Sequence, residues 1–143
     1  MLKEIEDYWG AEAATRSGMY GALGYAGYVM FTGVMLVLDL AGIPFSYLGT
    51  GAQTVMLAIL GAEFGVAVLA AYRFSMGKGL IPGSITLAVL VLNLIVSVAQ
   101  GMIPGIIWWV LFIAIIIGLV NGIHGAWAMR SMQHPGEVTE AFE

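Results

Sequence analysis

The sequence has no cysteine and very little charge. Lacking cysteine, it has no disulfides, thiolate metal sites, cysteine nucleophiles or thiol redox chemistry. Two histidines are too few for a histidine-built metal cage, so no metal and no cofactor is expected. Charged residues make up 10% of the chain, where an ordinary soluble domain has about 25%. A water-facing surface is hard to build from that composition. Disorder is disfavoured too, because it requires low hydrophobicity. The net charge is −4 and Lys and Arg number 5, with no basic cluster in sequence, which argues against a nucleic-acid partner.

Hydrophobic residues fill the gap, at 60% of 143 residues. The few charges are unevenly spread. Lys3, Glu4, Glu6, Asp7, Glu12 and Arg16 lie at the start; Arg130, Glu137, Glu140 and Glu143 lie at the end. Arg73 and Lys78 flank a short loop, and only Asp39 and Glu63 interrupt hydrophobic stretches. Residues 79–129 contain no Asp, Glu, Lys or Arg. As one helix that run would be roughly 76 Å long, against a hydrocarbon core of about 30 Å, so it must fold back once. Gly101, Pro104 and Gly105 mark the reversal.

The same reasoning predicts an all-α, polytopic integral membrane protein with four transmembrane helices in a bundle. They are expected over 19–41, 52–75, 80–101 and 104–129. Gly42-Ile43-Pro44 ends the first and the turn-rich Ser46–Gly51 precedes the second. Residues 1–18 are read as a cytoplasmic segment able to form an interfacial helix, and 130–143 as a flexible cytoplasmic tail. The acidic start is unlike the basic start of a cleavable signal peptide. With four spans, Lys3, Arg16, Arg73, Lys78 and Arg130 all share one side. The positive-inside rule then puts both termini in the cytoplasm, with the protein in the plasma or inner membrane. Trp108, Trp109, Tyr20 and Trp127 are expected as interfacial anchors. Ile43-Pro44 and Ala71-Tyr72-Arg73 find counterparts in Ile103-Pro104 and Ala128-Met129-Arg130, which would fit either a parallel duplication or two unrelated hairpins.

Polar residues in these helices fall on stripes. Tyr25, Tyr28, Thr32, Met35 and Asp39 recur at spacings that keep one helix face. Thr86, Asn93, Ser97 and Gln100 form a stripe in the third helix, and Gln53 and Glu63 in the second. Asn121 and His124 lie three apart in the fourth. Stripes turned inward would build a polar column of Glu63, Asn93, Thr32, Asn121, Asp39 and His124. Thr32, Glu63 and Asn93 are expected near the midplane, and Asp39, Gln53 and Gln100 near the outer end. Tyr25, Tyr28, Asn121 and His124 are expected on the cytoplasmic side.

Glu63 is the leading residue. An ionised carboxylate at the bilayer centre costs roughly 2.5–3.5 kcal/mol on insertion scales, so it should be neutral or strongly hydrogen-bonded. It would either couple a proton or cation, or bond across helices to Asn93 or a threonine. Asp39 near a helix end fits a solvated interfacial acid or an outer cation site. His124 sits between Gly122 and Gly125 with Trp127 close by, which would suit a hydrogen-bonded histidine or a macrocycle ligand needing a partner chain. Gly21, Gly24, Gly27, Gly61 and Gly65 are read as helix-packing positions, the last two as a GxxxG around Glu63. Gly77-Lys78-Gly79 reads as a turn and not a phosphate cradle. HExxH, GxSxG, P-loop and CxxC patterns do not occur.

Three functions remain open. The first is a non-enzymatic accessory or packing subunit or homo-oligomer, partnered by the bilayer and other membrane helices through the glycine-rich first helix. The second is a small proton- or cation-coupled transporter or channel using Glu63. The third is a haem- or pigment-associated subunit using His124.

Overall fold

The computed structural model describes residues 8–40, 50–101 and 105–140, with side chains described over 9–38, 51–101 and 105–132. The described residues form α1 (Tyr8–Leu40), α2 (Thr50–Ser75), α3 (Leu80–Ala99) and α4 (Ile106–Glu140). Each helix contains a stretch long and apolar enough to cross a membrane. Large apolar side chains face outward along all four, among them Phe31, Ile59, Leu92, Ile95 and Ile113. In water such a surface would aggregate; in a bilayer it meets its own solvent.

Each helix packs on the next, and α4 returns against α1 to close the ring. The α1–α4 and α1–α2 contacts are the most extensive, and α1 and α3 barely touch across the middle. Glycine explains the tightness of the α1–α4 seam. Gly18 lies against Gly122 so closely that a Cβ on either would strike the other's Cα. A Cβ on Gly21 would come within 2.9 Å of Leu119 N, and one on Gly125 within 2.7 Å of Ala11 O. Here backbones touch directly, as small residues allow in membranes.

The α2–α3 turn is closed by a Schellman motif. Lys78 N–H donates to Arg73 O at 2.9 Å and Gly77 N–H to Phe74 O at 3.0 Å. Gly77 has φ +70°, the left-handed conformation this turn requires. Phe74, fully buried, then fills a socket whose walls are Gly18, Gly79, Gly83 and Gly122. The socket joins the α2–α3 turn to the start of α1 and the end of α4. Arg16, Arg73, Lys78 and Arg130 consequently all belong to one end of the molecule.

The helix limits differ from expectation at that end. α1 begins at Tyr8 and not near residue 19. The charged pair that seemed to exclude residues 8–18 is self-neutralising: Arg16 donates to Glu12 at 2.7 Å, one helical turn away. The adjoining face of this segment carries Ala11 and Thr15 into the α4 contact at Gly125. α4 is described to Glu140, through Pro135 and Gly136 and past the expected end at 129. The expected turn residues 42–49, Ile103 and Pro104 lie outside the described residues.

Candidate functional site

Three side chains from three helices meet in one hydrogen-bonded group. Tyr25 of α1 donates its hydroxyl to Glu63 Oε2 of α2 at 2.9 Å. Asn93 Nδ2 of α3 donates to Glu63 Oε1 and Oε2, both at 3.1 Å, and to Tyr25 Oη at 3.1 Å. Every contact presents a donor to Glu63, so both carboxylate oxygens act as acceptors. The two Nδ2 hydrogens are shared among three acceptors, which accounts for the longer distances. Asn93 Oδ1 is not an acceptor for any of the described residues.

Burial is graded across this group. Tyr25 is 1% exposed, Glu63 is half-buried and Asn93 is exposed. The group therefore opens outward along the α2–α3 side, where helix contact is much thinner than around α1. Midway along helices of this hydropathy, that opening faces the region a bilayer would occupy.

An aromatic cluster closes the other side of Tyr25. Its ring stacks on Tyr28 at 6.2 Å, and Tyr28 meets Phe112 edge-on at 4.9 Å and Trp108 at 5.6 Å. Trp108, expected as an interfacial anchor, is part-buried near the start of α4 and also meets Phe31 at 6.0 Å. The antiparallel α1–α4 seam runs straight from Gly18–Gly122 to this cluster, which brings Trp108 back over Tyr28.

Of the predicted column, Glu63 and Asn93 come together and the other described members stand apart. Thr32 Oγ1 donates at 3.0 Å to Tyr28 O on its own helix. It lies about 10 Å along α1 from Tyr25. Asn121 is half-buried and adjoins Gly122, so it sits at the level of Gly18, again about 10 Å from Tyr25. His124 lies between α3 and α4 in an apolar recess with Leu80, Leu87 and Trp127. The Asp39 side chain lies outside the described residues. Three or more His, Cys, Asp or Glu side chains do not gather into a metal-sized group among the described residues.

Tyr25 was visible on the α1 stripe but was expected nearer the cytoplasmic end. It lies level with Glu63 and Asn93 because α1 starts a full three turns earlier, which puts Tyr25 near that helix's middle. The packing glycines divide into two groups within the chain. Gly21 meets α4, and Gly24 meets Ile115, but a Cβ on Gly27, Gly61 or Gly65 would meet nothing within 4 Å. The GxxxG around Glu63 thus faces out of the bundle. Gly118, Gly122 and Gly125, which carry the real seam with Gly18 and Gly21, were not singled out for packing.

No protein-family model, curated protein or solved structure matches this chain.

Proposed function

We propose that this protein is a non-enzymatic membrane subunit that assembles laterally with a second copy of itself through its α2–α3 side. The observation that carries this is the exposed Asn93 amide, bonded to Glu63 midway along the helices. In hydrocarbon an exposed carboxamide lacks water for its remaining hydrogen bonds, and a neighbouring helix is the natural supplier. Both Nδ2 hydrogens are engaged within the bundle, so Oδ1 is the group left for a neighbouring chain, and a two-fold axis would turn each copy's Oδ1 toward the other. The first-helix surface is the poorer candidate, because Gly18 and Gly21 are used against α4.

In this reading the bundle spans the plasma or inner membrane with both termini in the cytoplasm. The support is the sharing of one end by Arg16, Arg73, Lys78 and Arg130. Native mass spectrometry in mild detergent tests the assembly. The wild type should appear as an oligomer and Asn93→Leu mainly as monomer. A wild type that is monomeric throughout would contradict the reading.

The Tyr25–Glu63 bond favours a second reading, proton- or cation-coupled transport through Glu63. The packing of Tyr28, Trp108 and Phe112 across the neighbouring interior weighs against it. Proteoliposome flux that Glu63→Gln abolishes would favour this second reading over the first.

A further inference from the structure

Arg73 and Lys78, which flank the α2–α3 turn, and the distant Arg130 of α4 line one recess of about 280 Å³. Its remaining walls are apolar: Leu80, Ile81, Pro82 and Ala126. Among the described residues the one ion pair is Arg16 with Glu12, so these three cations face the recess without an acidic partner. The start of α3 lies in the same wall. Gly79 caps α3 without a side-chain hydrogen bond, which leaves its positive end uncovered. Lys78 and Gly79 do not cradle an anion with a glycine-rich backbone loop; the charge is supplied by side chains converging from α2, the turn and α4.

The recess does not stand alone. Leu80 also belongs to an apolar groove between α3 and α4 with Leu87, Ile123 and Trp127. Leu87 and Ile123 in turn belong to a further groove continuing past Ala88, Leu92 and Ile95. A charged head site therefore runs into an apolar track along one helix seam, from the end of the bundle toward its middle. Trp127, 58% exposed, stands beside the upper track at the depth where an interfacial aromatic belongs.

We infer that this seam is a binding site for an anionic phospholipid, with the phosphate headgroup held by Arg73, Lys78 and Arg130 and an acyl chain laid along α3 and α4. Basic pockets between membrane helices favour phosphate-bearing headgroups on electrostatic grounds. A free phosphate shares the head chemistry but makes no use of the track. The inference is independent of the oligomeric reading, because the α3–α4 seam and the Asn93 opening lie on different sides of α3.

The test uses the full chain in mild detergent with added lipid, read by native mass spectrometry. Long-chain phosphatidylglycerol should be retained at least about tenfold better than phosphatidylcholine. Lys78→Gln and Arg130→Gln, both exposed and each leaving four basic residues, should each lower that preference by about fivefold. Ala88→Trp, at an outward position in the track, should weaken long-chain phosphatidylglycerol and leave its dihexanoyl form unaffected. Equal retention of the two headgroups would overturn the inference, as would both glutamine variants keeping full preference with native helicity. Inorganic phosphate binding as tightly as the long-chain lipid would show a phosphate site and overturn the lipid assignment.

Discussion

Tyr25 holds the polar group in place by a simple division of labour: its ring is gripped by aromatics and its hydroxyl points at Glu63. Interhelical hydrogen bonds in membranes average about 0.6 kcal/mol and reach about 1.7. Tyr25→Phe should therefore destabilise the bundle by that range, as measured by detergent unfolding, with the aromatic packing intact. Glu63→Gln should destabilise it less, because the glutamine Oε1 can still accept from Tyr25 and a flipped Asn93 can accept from the glutamine Nε2 through Oδ1. If neither substitution altered unfolding, the hydrogen-bonded group would not contribute to folding. Glu63 and Asn93 were legible in the sequence because any polar residue in a long apolar run calls for a partner. Tyr25 was harder to place, since its depth depends on where α1 begins. The Glu12–Arg16 pair disguised that start as a water-exposed segment.

At the scale of elements, glycine does different work on different faces. Gly122→Val should push α4 away from Gly18 and lower stability by about 1–3 kcal/mol in the same unfolding assay. Gly61→Ala should leave monomer stability unchanged or raise it slightly, because its Cβ enters open space and alanine favours the helix by up to about 1 kcal/mol. A comparable loss in both variants would refute the assignment of the seam to α1 and α4. Spacing alone could not make this distinction. Gly61 and Gly65 repeat at the same four-residue interval as Gly118 and Gly122, and nothing local states which pair faces a neighbour. The four helices themselves were readable because hydrocarbon thickness fixes their length and Gly77, Gly79 and Gly101 punctuate them. The aromatic contacts of Trp108 were not legible for the related reason that proximity to a helix end does not specify a face.

At the scale of the whole molecule, scarce charge becomes an orientation. The described basic residues gather at the end holding the α2–α3 turn, and the proposed reading places that end in the cytoplasm by the positive-inside rule. The chain's freedom from cysteine makes this directly testable with single introduced thiols. In intact cells, Gly105→Cys at the opposite end should react with a membrane-impermeant maleimide, and Met76→Cys in the turn should not. The reverse pattern would invert the topology.

In the proposed assembly a second copy covers the Asn93 opening. Val96 is exposed on α3 within one turn of Asn93, whereas Ile113 is exposed on α4. Oxidative crosslinking in native membranes compares Val96→Cys with Ile113→Cys. The account predicts a disulfide-linked dimer for Val96→Cys and monomer for Ile113→Cys. Monomer for Val96→Cys, or equal dimer for both, would contradict it.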